Sequence, residues 1–244
     1  MTGMIIVSIA AKTVQEAKEQ IQYAQGDAVE LRLDALDQVN PNELKQLAPL
    51  RKIIMTDRRH AEGGLKAQTD TQRFEDIHSA IFAKPWAVDI ELASPRLFRR
   101  KLIKAAHEQG VLVISSYHNF KRTPPAEKLD EMVRQALEES DYAKIVCLTQ
   151  NEADITALLD LVRRYPGKVA AFGLGEKAAH TRILSLKLGA PFGYAKGQDA
   201  TSPGQLTVEE MKKRLAEITK EKEEKKIGEK TQQKIQTQKK EEDN

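Results

Sequence analysis

Tyr142-Ala143-Lys144-Ile145-Val146-Cys147-Leu148 is a short apolar run centred on Ile145 and Val146, the composition of a buried strand, and it carries one lysine in its middle. Runs of the same kind lie at 4–9, 28–33, 52–56, 87–92, 111–116, 169–173 and 192–195, and each is followed by a stretch of helical period. Eight repeats of strand then helix predict an α/β chain folded as a (β/α)8 TIM barrel. A doubly wound open sheet usually has fewer strands, and no Gly-rich fingerprint follows the first run.

Helix signals agree with that spacing. Thr13 with Glu16 reads as a capping box ahead of Val14, Ala17, Ile21 and Ala24, with Gly26 as the stop. Asn40-Pro41 and Ser94-Pro95 each read as an N-cap followed by a proline at the first helical position. Leu129, Met132, Val133, Ala136 and Leu137 mark one apolar helix face, and Met211, Leu215 and Ile218 mark the last.

Basic residues number 39 against 36 acidic, but 11 basic and 8 acidic residues lie from Met211 onward, which leaves 28 of each before it. The body is neutral, so the net charge is no argument for a nucleic-acid surface. Beyond Lys220 the chain is Lys, Glu and Gln with Ile227 and Ile235 as its aliphatics, too little to bury a core. The expected organisation is a (β/α)8 barrel over residues 1–220 and a charged tail, disordered or a frayed helix, over 221–244. Cys147, the one cysteine, reads as a buried small hydrophobe without a disulfide partner. With no basic region ahead of the first apolar run and no stretch of about 18 apolar residues, the expectation is a cytoplasmic protein with no membrane partner.

Side chains two apart on a strand share a face, which makes the polar residues in these runs informative. Val29, Leu31 and Leu33 facing the helices send Glu30 and Arg32 inward; likewise Val88, Ile90 and Leu92 send Asp89 and Glu91 inward. Thr56 with Arg58, Ser116 with His118, and Lys144 share the same direction on their strands. So many charges cannot be buried singly, so they form a network, a ligand site or both. Glu30 and Arg32 read equally as an ion pair or as ligand groups, and Asp89 and Glu91 as supports for neighbouring basic groups ahead of a direct part in chemistry. Lys144 reads as an edge-strand lysine, as a partner of Asp141 or Asp89, or as a nucleophilic amine, since desolvation disfavours the ammonium. His118 reads as a core histidine, or, beside an inward lysine on the next strand, as a general acid/base.

Taken together the motifs resemble the type I 3-dehydroquinate dehydratases, Schiff-base enzymes of the shikimate pathway. Asp-Ile-Glu-Leu at 89–92 and Val-Ile-Ser-Ser-Tyr-His-Asn-Phe at 113–120 are similar to the family signature. The resemblance, which spans 4–218, implies His118 as the active-site histidine, Lys144 as the imine-forming lysine and Glu62 as the histidine's partner. It further implies Glu30, Arg32, Arg58 and Gln205 as holders of the ring hydroxyls and Arg182, in Thr181-Arg182, as the grip on the substrate carboxylate. Thr201-Ser202-Pro203-Gly204-Gln205 is similar to a Ser-Ala-Pro-Gly-Gln lid, with Thr201 or Ser202 supplying the hydroxyl. Leu174 stands where a methionine is common, and Tyr117 precedes the histidine as the pattern permits. The implied reaction is syn loss of water from 3-dehydroquinate, with no cofactor and no metal, on a small-molecule substrate; a homodimer is left open. A class I aldolase would need a phosphate cradle, for which Gly173-Leu174-Gly175 is the candidate. A silent binding protein on this fold would be expected to lack Lys144 or His118.

Overall fold

Each expected run is a strand in the computed structural model, which describes residues 3–197 and 205–217. The strands are β1 Met4–Ile9, β2 Ala28–Arg32, β3 Ile53–Thr56, β4 Ala87–Glu91, β5 Leu112–Asn119, β6 Tyr142–Leu148, β7 Val169–Leu174 and β8 Phe192–Lys196. Between them lie helices α1 Val14–Tyr23, α2 Pro41–Leu44, α3 Asp70–Phe82, α4 Arg96–Glu108, α5 Ala126–Glu139, α6 Glu152–Arg164 and α7 His180–Leu188. The strands are parallel and ordered β7-β6-β5-β4-β3-β2-β1-β8, so consecutive strands are neighbours and β8 closes back beside β1. This is a nearly closed (β/α)8 barrel. Chain compactness places one unit up to Val208 and a second from Glu209. The expected boundary at Lys220, the tail 221–244 and Ile218 lie outside the described residues.

The parity of the strands separates two layers. Val29, Leu31, Val88 and Ile90 face outward and pack with Ala17 and Ile21 of α1, Ile77 and Ile81 of α3 and Leu102 of α4. Each Val, Leu or Ile among them contributes about 1.5–3 kcal/mol on burial. Ile6, Ile54, Ile114 and Phe192 point the other way and belong to the apolar group that includes Tyr142. They form the floor beneath the polar residues of the same strands. Register then carries polarity around the barrel: Ser8 lies beside Glu30, Arg32 beside Thr56, Thr56 beside Asp89, Glu91 beside Ser116, and Ser116 beside Lys144.

Several local expectations change. Thr13 accepts from the Glu16 amide, but the Glu16 carboxylate reaches the amide of Lys12 and not of Thr13, so the box is opened by one residue. A reciprocal box does form at Thr69 and Gln72, ahead of α3. The stop of α1 is Ala24 in extended conformation. Gly26 serves instead to let backbones approach, since a Cβ there would lie 2.7 Å from the Ile5 carbonyl oxygen. Asn40 caps α2 as expected, with Pro41 at the first position. At α4 the boundary residue is Pro95, and Ser94 makes no side-chain cap. Strand β5 runs three residues past the expected 116, and those residues carry His118 to the rim. Residues 208–217 are helical.

Candidate active site

Lys144 sits midway along β6 and is 3 % exposed. Of the alternatives left open, the edge strand and the Asp141 pair do not occur. The Lys144 Nζ donates to Asp89 Oδ2 at 3.1 Å and to Glu30 Oε1 at 3.2 Å, and lies 4.1 Å from the centre of the Tyr194 ring. Asp141 is turned away, accepting from the Val113 amide and meeting His107. The outward face of the strand is Ala143, Ile145 and Cys147, while on the inward face Lys144 meets carboxylates between Tyr142 and Val146.

Glu30 is the hub of this contact. Its carboxylate also accepts from Ser8 Oγ at 2.8 Å and Thr56 Oγ1 at 3.2 Å. Burial pushes its pKa up, but Lys144 and Arg58 outweigh that and hold it below the usual range. An ion pair of Glu30 with Arg32 is not formed. Arg32 makes a two-point contact with Asp34, Nε to Oδ1 at 2.8 Å and Nη2 to Oδ2 at 2.5 Å, and reaches the Gly63 carbonyl. Asp34 in turn accepts the amides of Arg58 and Leu65, so one buried carboxylate ties β2 to the loop that carries Glu62.

Arg58 occupies the centre of an acidic cage. Its guanidinium donates to Asp89 at 2.8 Å, to Glu91 at 3.0 Å and to Ser116 Oγ at 2.7 Å. Glu91 is shared with Arg73 of α3 and with the Arg59 amide. Asp89 and Glu91 are therefore supports for neighbouring bases, as their parity suggested. Burial raises the Asp89 pKa, and Arg58, Lys144 and Ser116 outweigh it to keep the carboxylate ionised.

At the rim, Glu62 Oε2 accepts the His118 amide at 2.8 Å and stands 3.3 Å from Nδ1 of the same residue. Burial, with Arg58 and Lys144 nearby, holds the His118 pKa well below 6.5, so the ring is neutral imidazole at pH 7. Burial lifts Glu62 to about 7 against the pull of Arg58. A neutral imidazole with one nitrogen facing a carboxylate is arranged to take a proton at the other.

Arg182, on α7, is the largest fully buried side chain. Its guanidinium lies 5.0 Å from the Phe172 ring and donates to the Gly173 carbonyl at 3.3 Å. Burial lowers its pKa to about 10, which leaves it charged at neutral pH. Thr181 donates to Ala178 and accepts the Gly173 amide, so the Gly173-Leu174-Gly175 turn spends that amide internally and does not offer it to a phosphate.

Glu30, Arg32, Arg58, His118, Lys144, Arg182 and Gln205 line one cavity at the carboxyl ends of the strands, with Glu62 behind His118. Thr201 and Ser202 lie outside the described residues. The same cavity is lined by Ser8, Phe172 and Tyr194, which were not singled out from sequence. Parity could have found Ser8 and Tyr194, each two residues beyond an inward apolar residue; Asp34 follows its strand and had no such signal. Among the described residues no group of three or more His, Cys, Asp or Glu is placed to hold a metal ion, and no helix is long and apolar enough to cross a membrane. Cys147 is a buried free thiol.

A (β/α)8 barrel with a buried lysine, a carboxylate-backed histidine and a buried arginine converging at the carboxyl ends of its strands is built as an enzyme. The type I 3-dehydroquinase model matches residues 5–222, and the chain belongs to that family. It is 34% identical over 219 residues to the 3-dehydroquinate dehydratase of Methanococcus maripaludis strain S2, covering 87% of this chain and 98% of the relative. It is 35% identical over 217 residues to that of Thermococcus onnurineus, covering 87% and 97%. Among solved structures, the Clostridium difficile type I 3-dehydroquinate dehydratase superposes with a TM-score of 0.82 at 22% identity, covering 90% and 94% of the two chains. The Aquifex aeolicus 3-dehydroquinate dehydratase does so at 0.72 and 26%, covering 88% and 98%.

Proposed function

We propose that this protein is a 3-dehydroquinate dehydratase, a hydro-lyase that removes water from 3-dehydroquinate in syn fashion through an imine on Lys144, as the third step of the shikimate pathway. The observation that carries the reading is the convergence of Lys144, His118 and Arg182 on one cavity in a chain of this family. Lys144 condenses with the C3 ketone, expelling its oxygen as water, and the protonated imine withdraws electrons from the adjacent carbon. His118, neutral and backed by Glu62, takes the C2 proton; the electrons return through the enamine as the C1 hydroxyl leaves with a proton from the imidazolium. Hydrolysis of the imine releases 3-dehydroshikimate and restores the lysine.

Arg182 supplies a fixed fork for the substrate carboxylate, a geometry a lysine does not reproduce. Glu30, Arg32, Arg58 and Gln205 face the ring hydroxyls, and Thr201 or Ser202, outside the described residues, adds a hydroxyl. The setting is the cytoplasm. Incubation with 3-dehydroquinate, followed by the ultraviolet absorbance of the conjugated enone, tests the activity. Borohydride added during turnover tests the route: a stable adduct is expected on Lys144, and complete inactivation with the mass on another lysine would overturn that assignment.

A further inference from the structure

The carboxylates around Lys144 suit an ammonium better than they suit the intermediate it would form. In the free enzyme Nζ has three N–H donors and directs two of them to Glu30 and Asp89. When the ammonium condenses with a ketone, the carbonyl oxygen leaves as water with two of its protons. One N–H and the full positive charge remain on a protonated imine. Such a nitrogen can keep at most one of its two carboxylate hydrogen bonds. A contact that needs no N–H survives intact, and Tyr194 makes one.

Tyr194 projects inward from β8, is 4 % exposed, and presents its ring face to Nζ at 4.1 Å. The ring is braced, edge to face, by Phe192 at 6.0 Å, with Phe172 tilted against it at 6.2 Å. Burial and the Glu30 and Asp89 carboxylates push its pKa well above 10, so the phenol stays neutral and its ring face keeps the ordinary aromatic quadrupole. A cation over such a face is attracted to it, more strongly when both are out of water. We propose that the face of Tyr194 stabilises the protonated imine on Lys144, holding the cationic nitrogen after part of its hydrogen bonding has gone. This rests on the imine reading given above.

The test is a graded one at position 194, with Tyr194→Phe as the reference. Replacing that ring by 4-fluoro-, 3,5-difluoro- and pentafluorophenylalanine weakens the negative potential of the face with little change of shape. The expected result is a stepwise fall in kcat along the series, reaching roughly tenfold to thirtyfold at the pentafluoro ring. The fraction of enzyme trapped by borohydride on Lys144 at saturating 3-dehydroquinate should fall in the same order. Tyr194→Leu should match the slow end of the series, with folding checked by circular dichroism. A flat series, in which all rings turn over and trap alike, would overturn the inference whatever Tyr194→Leu does. If the Tyr194 enzyme turns over but gives no Lys144 adduct with borohydride, it is the imine reading that fails, and this inference with it.

Discussion

Glu62 and His118 set the pH response at the scale of single residues. The folded pKa of Glu62, about 7, lies above its ordinary 4.5, so the folded state holds this proton more tightly and the group costs stability as pH rises through that window. Activity runs the other way. The ionised carboxylate is the form that accepts from His118 Nδ1, so kcat/KM should rise as pH increases through about 7. Glu62→Gln should flatten that acidic limb and lower kcat, read from a rate profile between pH 5 and 9; an unchanged limb would assign it to another group. His118→Ala should lower kcat by about 10²–10⁴ while KM moves little. A variant keeping half the activity would return His118 to the status of a core residue. Arg182→Lys should raise KM, because a point charge does not make the paired hydrogen bonds of a guanidinium. A saturation curve identical to that of the natural enzyme would remove Arg182 from the site.

Among elements, the turn into β2 shows how little room the barrel leaves. A Cβ at Gly26 would lie 2.7 Å from both the Ile5 carbonyl oxygen and a Val7 methyl, and one of those is backbone. Gly26→Ala should therefore lower stability by about 1–3 kcal/mol, measured by denaturant titration; a neutral outcome would mean that β1 shifts freely. The end of β3 is a second such place. Asp57 is fully buried beside Gln68, and burial raises its pKa, as it does that of Asp76 on α3. Both groups bind protons more tightly folded than unfolded. They should add to Glu62 in making the melting temperature fall from pH 5 toward pH 8, and Asp57→Asn should reduce that slope. The start of α1 falls at Thr13 as its signal had it, but the return contact of Glu16 goes to the amide of Lys12, one residue early, and α4 starts one residue later than Ser94-Pro95 suggested, because capping is settled by which amide a loop brings within reach, and loop paths are not written in local composition.

For the whole molecule, the composition beyond Lys220 predicts that a chain ending there keeps its activity and most of its melting temperature, with changes within about 0.5 kcal/mol. A collapse in melting temperature, or a new elution volume on gel filtration, would show that Ile227 and Ile235 are needed. What the residues determined by themselves was the alternation of strand and helix and the direction of each strand side chain, since period and parity are local properties of a chain. The inward set Glu30, Arg32, Thr56, Asp89, Glu91, Ser116, His118 and Lys144 was legible on that basis. Partner choice was not. Same-face neighbours on a strand stand about 6.6 Å apart, whereas adjacent strands lie about 4.8 Å apart, so pairing goes across strands wherever register allows. Lys144 of β6 goes further and meets Glu30 of β2 and Asp89 of β4 across the barrel interior, strands that are not its neighbours in the sheet, while Arg32 turns from Glu30 to Asp34 just beyond the end of its own strand. Only barrel closure brings Tyr194 of β8 over the lysine of β6, because a ring contact between non-consecutive strands depends on curvature that no single segment encodes.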